Sequence, residues 1–165
     1  MNPRSSGDIA QSTGMTTRFR VVPAAYIALR RDEHVLLQLR ANTGYMDGHW
    51  AMAAAGHVEA GESVYDAAKR EAREEIGVDI ALSDLIPLCT MHRTHADHRE
   101  VDERADFFFS CSRWSGEPRL LEPDKTADLR WFRLDGLPDP VVPHELTVLQ
   151  GLLGGNLPAV VTFGF

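Results

Sequence analysis

The stretch that decides the reading runs Gly56-His-Val-Glu-Ala-Gly-Glu62, Ser63-Val-Tyr-Asp-Ala-Ala-Lys69, Arg70-Glu-Ala-Arg-Glu-Glu-Ile-Gly-Val78. Its middle predicts a helix from about Ser63 to Ile76. Ser63 can cap the N-terminus, with Asp66 three residues on in a capping-box arrangement. Gly77 stands where helices commonly stop with a left-handed residue. Glu71, Glu74 and Glu75 are spaced i, i+3, i+4, one arc roughly 100° wide on a helix. Val64, Ala67, Ala68 and Ala72 lie on the same side, so the carboxylates are expected on the face turned to the core.

That placement is unfavourable. Like charges at these spacings each cost a helix roughly 0.2–0.5 kcal/mol. In the last turn the helix dipole favours cations, by about 0.3–1 kcal/mol each, and desolvation adds to the penalty. Bound Mg²⁺ or Mn²⁺ removes the conflict, because hard cations take several oxygen ligands in close array. The competing reading is a solvated acidic face, with Arg70 paired to Glu74 and Arg73 pointing outward. The inward arc, the terminal position and the flanking glycines argue against it.

Working outward, Arg20–Arg30 and Val35–Leu39 read as strands joined by a hairpin loop at residues 31–34. Residues 41–50 are turn-rich, and a small-residue segment, Ala51–Gly56, precedes the helix. Leu85–Met91, Ala105–Ser112 and Leu129–Arg133 read as further strands, Trp114–Pro118 as a turn, and residues 144–153 as a last helix after Pro143. Strands and helices interleave without repeats or a linker, which predicts one α/β domain over residues 18–165 with a mixed sheet between helices. Residues 1–17, rich in Ser, Gly, Thr and Asn, read as a flexible leader in which Met15 is an alternative start.

The chain of 165 residues, 44% apolar, suits one domain with a real core. Its net charge of −7 argues against nucleic-acid polymers as partners. It leaves room for a small anionic substrate neutralised by a cation. No apolar run is long enough to span a bilayer, and the N-terminus lacks a secretory pattern, so a soluble cytoplasmic protein with no membrane partner is expected. Cys89 and Cys111 lack metal-ligand spacing and read as reduced core thiols.

The central stretch resembles the Nudix box: Gly, five residues, Glu, seven residues, then Arg-Glu-apolar-x-Glu-Glu-x-Gly-apolar. Gly56, Glu62, Arg70, Glu71, Ala72, Glu74, Glu75, Gly77 and Val78 match all nine fixed positions over 23 residues. A weaker resemblance extends from about Val21 to Glu145. It implies an α/β/α sandwich and a hydrolase that cleaves a diphosphate linkage in a small nucleotide-type substrate with Mg²⁺ or Mn²⁺. Glu71, Glu74 and Glu75 are then the expected metal ligands, joined by the backbone carbonyl of Ala55. Glu71 or Glu75 is the expected base, with an acid from residues 97–106 as the alternative. Arg70 is expected to orient the glutamates. Glu62 is expected to fix the loop through backbone N–H groups or Arg70, with Gly56 and Gly77 structural.

Arg113–Pro118 followed by Glu122 resembles a stretch of the mutator-type pyrophosphohydrolases. This makes Glu122 a candidate further metal ligand, against a plain loop acid, with Glu103 and Asp106 as rivals. Arg40 resembles the family's phosphate-contacting arginine; its alternative is a solvated strand-end charge. Trp50 is expected to pack at the sheet edge, and His57 is not expected to be a ligand. His92, His95 and His98, with Arg93 and Arg99, are either a polar hairpin loop or a flap over an anionic substrate. Relatives often carry Leu-Pro-Gly-Gly before the box; Met52-Ala-Ala-Ala-Gly56 stands here, resembling a subgroup with Ala-Ala-Gly-His.

Two other functions share the fold, a catalytically silent nucleotide sensor and an isoprenoid diphosphate isomerase. The three glutamates argue against the first. The second needs a reactive site cysteine that Cys89 and Cys111 do not offer. The substrate candidates are a nucleoside triphosphate, ADP-ribose or another nucleotide sugar, or a dinucleotide. Homodimers are common among relatives.

Overall fold

The computed structural model describes residues 18–165; the expected leader, Met15 included, lies outside the described residues. A mixed eight-stranded sheet is sandwiched between two helices, in agreement with the α/β/α expectation. The strands are β1 (Val22–Arg31), β2 (His34–Arg40), β3 (Trp50–Met52), β4 (Ala54–His57), β5 (Ile86–Arg93), β6 (Arg104–Cys111), β7 (Thr126–Arg133) and β8 (Val160–Phe163). Helix α1 spans Val64–Ile76 and α2 spans Pro143–Gly154. The spatial order is β3-β2-β1-β6-β5-β8, with β4 beside β1 and β7 beside β2.

Strand β1 holds the architecture together. Its Ala24–Ile27 segment pairs antiparallel with β4, while Arg30 and Arg31 pair with β2. Two strands thus leave the same edge of β1 at different heights, and a gap opens where they diverge. On its other edge β1 runs parallel to β6 for eight registered pairs, Val22↔Arg104 to Leu29↔Cys111.

Alternation along β1 divides its side chains between two cores. Ala25, Ile27 and Leu29 join Ala67, Ala68, Ala72 and Ile76 of α1. Ala28 joins Val148 and Leu149 of α2, with Tyr26 packed against the same cluster. Tyr26 is stacked on Phe108 of β6, their ring centroids 4.6 Å apart.

Three strands lie outside the sequence expectation. The segment 51–56 contains most of β3 and β4, two short runs too rich in alanine to show a two-residue period. Strand β8 pairs parallel to β5, a long-range contact with no local signal. Trp50, by contrast, packs as expected: it opens edge strand β3 and meets Phe132 at 4.7 Å. Cys89 and Cys111 are free and buried.

Candidate active site

The box folds as strand β4, a loop, helix α1 and a glycine stop. Ser63 Oγ accepts from the Asp66 N–H while the Asp66 carboxylate accepts from Ser63 N, closing the capping box. Gly77 ends the helix at φ 71°, its N–H returning to the carbonyls of Ala72 and Arg73. Gly56 is required for a different reason. A Cβ there would run into the Glu71 carboxylate, which lies against the strand backbone.

Arg70 is the hub of the site. Its Nε donates to Glu62 at 2.8 Å, Nη1 to Glu71 at 2.6 Å and to Glu74 at 3.2 Å, and Nη2 to the His57 carbonyl at 2.9 Å. Glu62 also accepts from the Glu59 N–H at 3.0 Å. One guanidinium therefore ties the loop, the helix and β4 together through charge-assisted bonds.

The three helix carboxylates do not share one environment, which corrects the expectation that all face the core. Taking the buried residues Ala67, Ala68, Ala72 and Ile76 as the inward face, Glu75 lies about 40° from its centre, Glu71 about 80° and Glu74 about 140°. Burial follows that order. Glu75 is inward, its Oε2 accepting from the Ala55 N–H at 2.9 Å. The Glu71 side chain is 13% exposed and that of Glu74 57%. Nor do the carboxylates converge: among the described residues no three His, Cys, Asp or Glu side chains gather at a common centre. Arg70 holds Glu71 and Glu74 while Glu75 turns to β4.

The electrostatics are those of a site short of positive charge. Desolvation raises the Glu75 pKa to about 8; the Ala55 N–H opposes this, and the charges of Glu71 and Glu122 add to it. Glu71 is also raised by desolvation, with Arg70 opposing and Glu74 and Glu122 adding. Glu122 thus stands near enough to act on both, although its carboxylate is paired with Lys125 at 2.9 Å. Its rivals are engaged elsewhere. Glu103 is buried and accepts from Thr94 Oγ1 at 2.7 Å. Asp106 is fully buried and pairs with Arg93 at 2.6 Å. The oxygen donors Glu71, Glu74, Glu75, Glu122 and the Ala55 backbone suit a hard divalent cation, which would compensate the repulsion.

Glu75, Ala55 and Gly56 open onto a cavity of about 530 Å³ in the gap between β4 and β2. Five cations line it: Arg40, Arg93, Arg99, Arg104 and Lys125. Arg40 is partly committed, its Nε donating to the Tyr45 carbonyl at 2.9 Å and Nη2 to Thr43 Oγ1 at 3.0 Å. The inner end holds groups that sequence reading passed over. Glu145 is buried and accepts from Met52 N at 2.5 Å; burial pushes its pKa up to about 7. Gln38 donates to the Met52 carbonyl at 3.3 Å and accepts from Thr126 Oγ1 at 2.7 Å. Buried His144 lies 3.4 Å from the Tyr26 hydroxyl. A polar pair directly after Pro143 at the start of a helix was the available signal, but it is a weak one.

The histidine cluster separates. His92 lies on β5 against Phe165, His95 pairs with Asp97 at 2.8 Å, and His98 meets Thr94 Oγ1 at 3.0 Å. Arg93, at the end of β5, and Arg99 line the cavity, whereas these three histidines do not. His57, set aside from the sequence, does line it, and its imidazole faces the Arg104 guanidinium. Partial desolvation, then Arg104, holds the His57 pKa below its usual value. Neither cysteine lines the cavity, and burial raises the Cys89 thiol to about 11.

Comparison with known proteins agrees with this architecture. A family profile described as the NUDIX domain matches residues 20–152. The nucleoside triphosphatase NudI of Salmonella arizonae is 30% identical over 132 residues, covering 73% of this chain and 89% of that protein. The crystal structure of a MutT NUDIX hydrolase from Burkholderia pseudomallei superposes with a TM-score of 0.70 at 30% identity, over 79% of this chain and 97% of its own. The mutator MutT protein of Bacillus halodurans shares the fold with a TM-score of 0.66 at 21% identity, over 87% of each chain. With the nine box positions on the loop, helix and glycine stop described above, this chain belongs to the Nudix hydrolase family.

Proposed function

We propose that the protein hydrolyses the diphosphate linkage of a nucleoside triphosphate or related nucleoside-diphosphate compound, with Mg²⁺ or Mn²⁺ as cofactor. The observation that carries this reading is the pair of partly desolvated, mutually repelling carboxylates Glu71 and Glu75, of which Glu75 lines a cavity with five cations. The 30% identity to a protein named a nucleoside triphosphatase favours that substrate over ADP-ribose or a nucleotide sugar.

Glu71, Glu74, Glu75, Glu122 and the Ala55 carbonyl would hold the metal, with Glu74 on the solvent side. When bound, the metal neutralises the diphosphate and orients water for attack. The chain's own residues do the rest. Arg70 fixes Glu71, and Glu62 fixes Arg70. Arg40 offers its remaining guanidinium nitrogen to a phosphate oxygen. Glu75 reaches into the cavity, whereas Glu71 is held by Arg70, so Glu75 takes the proton as water adds to phosphorus and the P–O bond to pyrophosphate breaks. From a nucleoside triphosphate the product pair is a nucleoside monophosphate and pyrophosphate.

The test is turnover of a nucleotide panel with Mg²⁺ and with Mn²⁺, on the wild type, Glu71→Gln and Glu75→Gln. Loss in both variants is expected; undiminished activity in both would refute the roles.

A further inference from the structure

Three of the five cavity cations are already paired with carboxylates. Lys125 pairs with Glu122, Arg93 with Asp106, and Arg99 with Asp97 at 3.0 Å and Asp102 at 2.8 Å. Arg40 is fastened by two hydrogen bonds to its own loop. Arg104 is different. Among the described residues no carboxylate lies within ion-pair distance of it, and its Nε is buried without a hydrogen-bond partner. Its one polar contact, through Nη1, is the imidazole Nε2 of His57. The direct partner of this guanidinium is a neutral acceptor, with Asp106, itself paired to Arg93, acting on it only from beyond ion-pair distance, and a buried donor without a partner is unfavourable. An oxyanion that accepts in the fork of the guanidinium removes both problems.

Sheet register says where that anion belongs. Tyr26 is level with Ala55, Ala24 with His57 and Asp106, and Val22 with Arg104. Glu75 is fastened at the Ala55 level, and His144 reaches the Tyr26 hydroxyl at the same level. The Arg104 backbone is level with Val22, but its guanidinium reaches back to His57 at the Ala24 level, two residues along β1 from there and about 7 Å away. A nucleotide whose base lies toward His144 and Glu145, and whose scissile linkage lies at Glu75, extends its last phosphate toward Arg104.

We propose that Arg104 is a subsite for the terminal phosphate of a nucleoside triphosphate, with His57 as the positioning residue that aims its guanidinium. The subsite rests on the reading of this cavity as a nucleotide hydrolase site and adds a preference: triphosphates over the matching diphosphates, and pyrophosphate retained as product. A sugar nucleotide or dinucleotide presents no terminal phosphate to Arg104.

Four variants test it: Arg104→Ala, Arg104→Lys, His57→Ala and His57→Gln. The readouts are kcat and KM for one nucleoside triphosphate and its diphosphate, and calorimetric binding of inorganic pyrophosphate and of the monophosphate with Mg²⁺. Arg104→Ala is expected to raise the triphosphate KM and weaken pyrophosphate binding by about tenfold or more. The diphosphate KM and monophosphate binding should stay within about twofold. Arg104→Lys should recover part of the loss. His57→Ala should follow in the same direction with a smaller change, and His57→Gln, which restores an acceptor, should recover it. Unchanged pyrophosphate binding in Arg104→Ala, or equal losses for all four ligands, would overturn the subsite. A wild type that turns over no nucleotide would instead remove the underlying functional reading, and the pyrophosphate titration would still decide the fate of Arg104.

Discussion

The two walls of the cavity are built on opposite plans. One comes from a single run of chain, Ala55 to Gly77, in which Glu62, Glu71 and Glu74 compete for Arg70 and Glu75 has only the Ala55 N–H. The other is assembled from β2, β7 and α2, and its polar groups are fastened to the fold. Glu145 is held by the Met52 N–H, and Gln38 by the Met52 carbonyl and Thr126. The first wall carries unbalanced charge and is poised to receive a counter-charge. The second carries polar groups with definite partners and keeps the shape of the cavity.

That contrast makes Glu75→Gln the most telling substitution. Loss of a positioned proton acceptor costs about 10²–10⁴ in kcat. Stability should move the other way. The raised pKa of Glu75 means its contribution to metal-free stability is fully present below the ordinary carboxylate range and is lost as pH rises through about 8. In EDTA at pH 8.5 the Gln variant should therefore melt above the wild type, and Mg²⁺ should raise its melting temperature less. A variant that is both inactive and less stable would mean that this wall holds shape as well.

Arg70→Ala comes next. It removes the bond to the His57 carbonyl and leaves Glu62 and Glu71 partly buried without their cation. A loss of about 3 kcal/mol in denaturant unfolding without metal is expected. Saturating Mg²⁺ should restore part of it, because the ion then balances the same carboxylates. A loss that Mg²⁺ leaves untouched would separate the hub from the metal site.

The far wall answers to pH instead. Glu145 is raised from the ordinary carboxylate range to about 7, so its contribution is present below about pH 4.5 and fades as pH rises through 7. Buried His144, held below its usual pKa, works in the opposite sense: stability falls as pH drops through the histidine range. Comparing Glu145→Gln with the wild type cancels the histidine. The wild type should lose roughly 2 kcal/mol more than the variant between pH 5 and pH 8 in thermal melts. Parallel stability curves would show that the carboxylate is not desolvated.

The same contrast explains what could be read from the chain alone. The box wall was legible because its chemistry is local: a cap at Ser63, a stop at Gly77 and carboxylates at helical spacing are set by neighbours in sequence. Even there, the exposure of Glu74 depended on which alanines face inward, an angle that the i, i+3, i+4 spacing leaves open. The far wall was not legible. Gln38 lies 88 residues from its partner Thr126 and Glu145 lies 93 from its partner Met52, so these groups meet only through strand pairing and helix packing. His57 was passed over because its partner, Arg104, stands 47 residues away. Strands β3 and β4 were missed because alanine gives no alternation to read.

Ser63→Ala probes the weakest link of the local wall. Ser63 Oγ accepts from the Asp66 N–H at 3.2 Å, and Asp66 accepts from Ser63 Oγ at 2.6 Å. Removing the hydroxyl leaves a helix N–H to water at an exposed position, so about 1 kcal/mol should be lost in denaturant unfolding. Turnover should be unchanged, because Arg70 and Glu75 lie two and more than three turns further along α1, and the loop is fastened separately through Glu62. If catalysis fell along with stability, the start of the helix would be coupled to its acidic end. The box wall would then behave as one rigid unit, as the far wall does, and the distinction between a wall that receives charge and a wall that keeps shape would fail at the point where the sequence made it easiest to see.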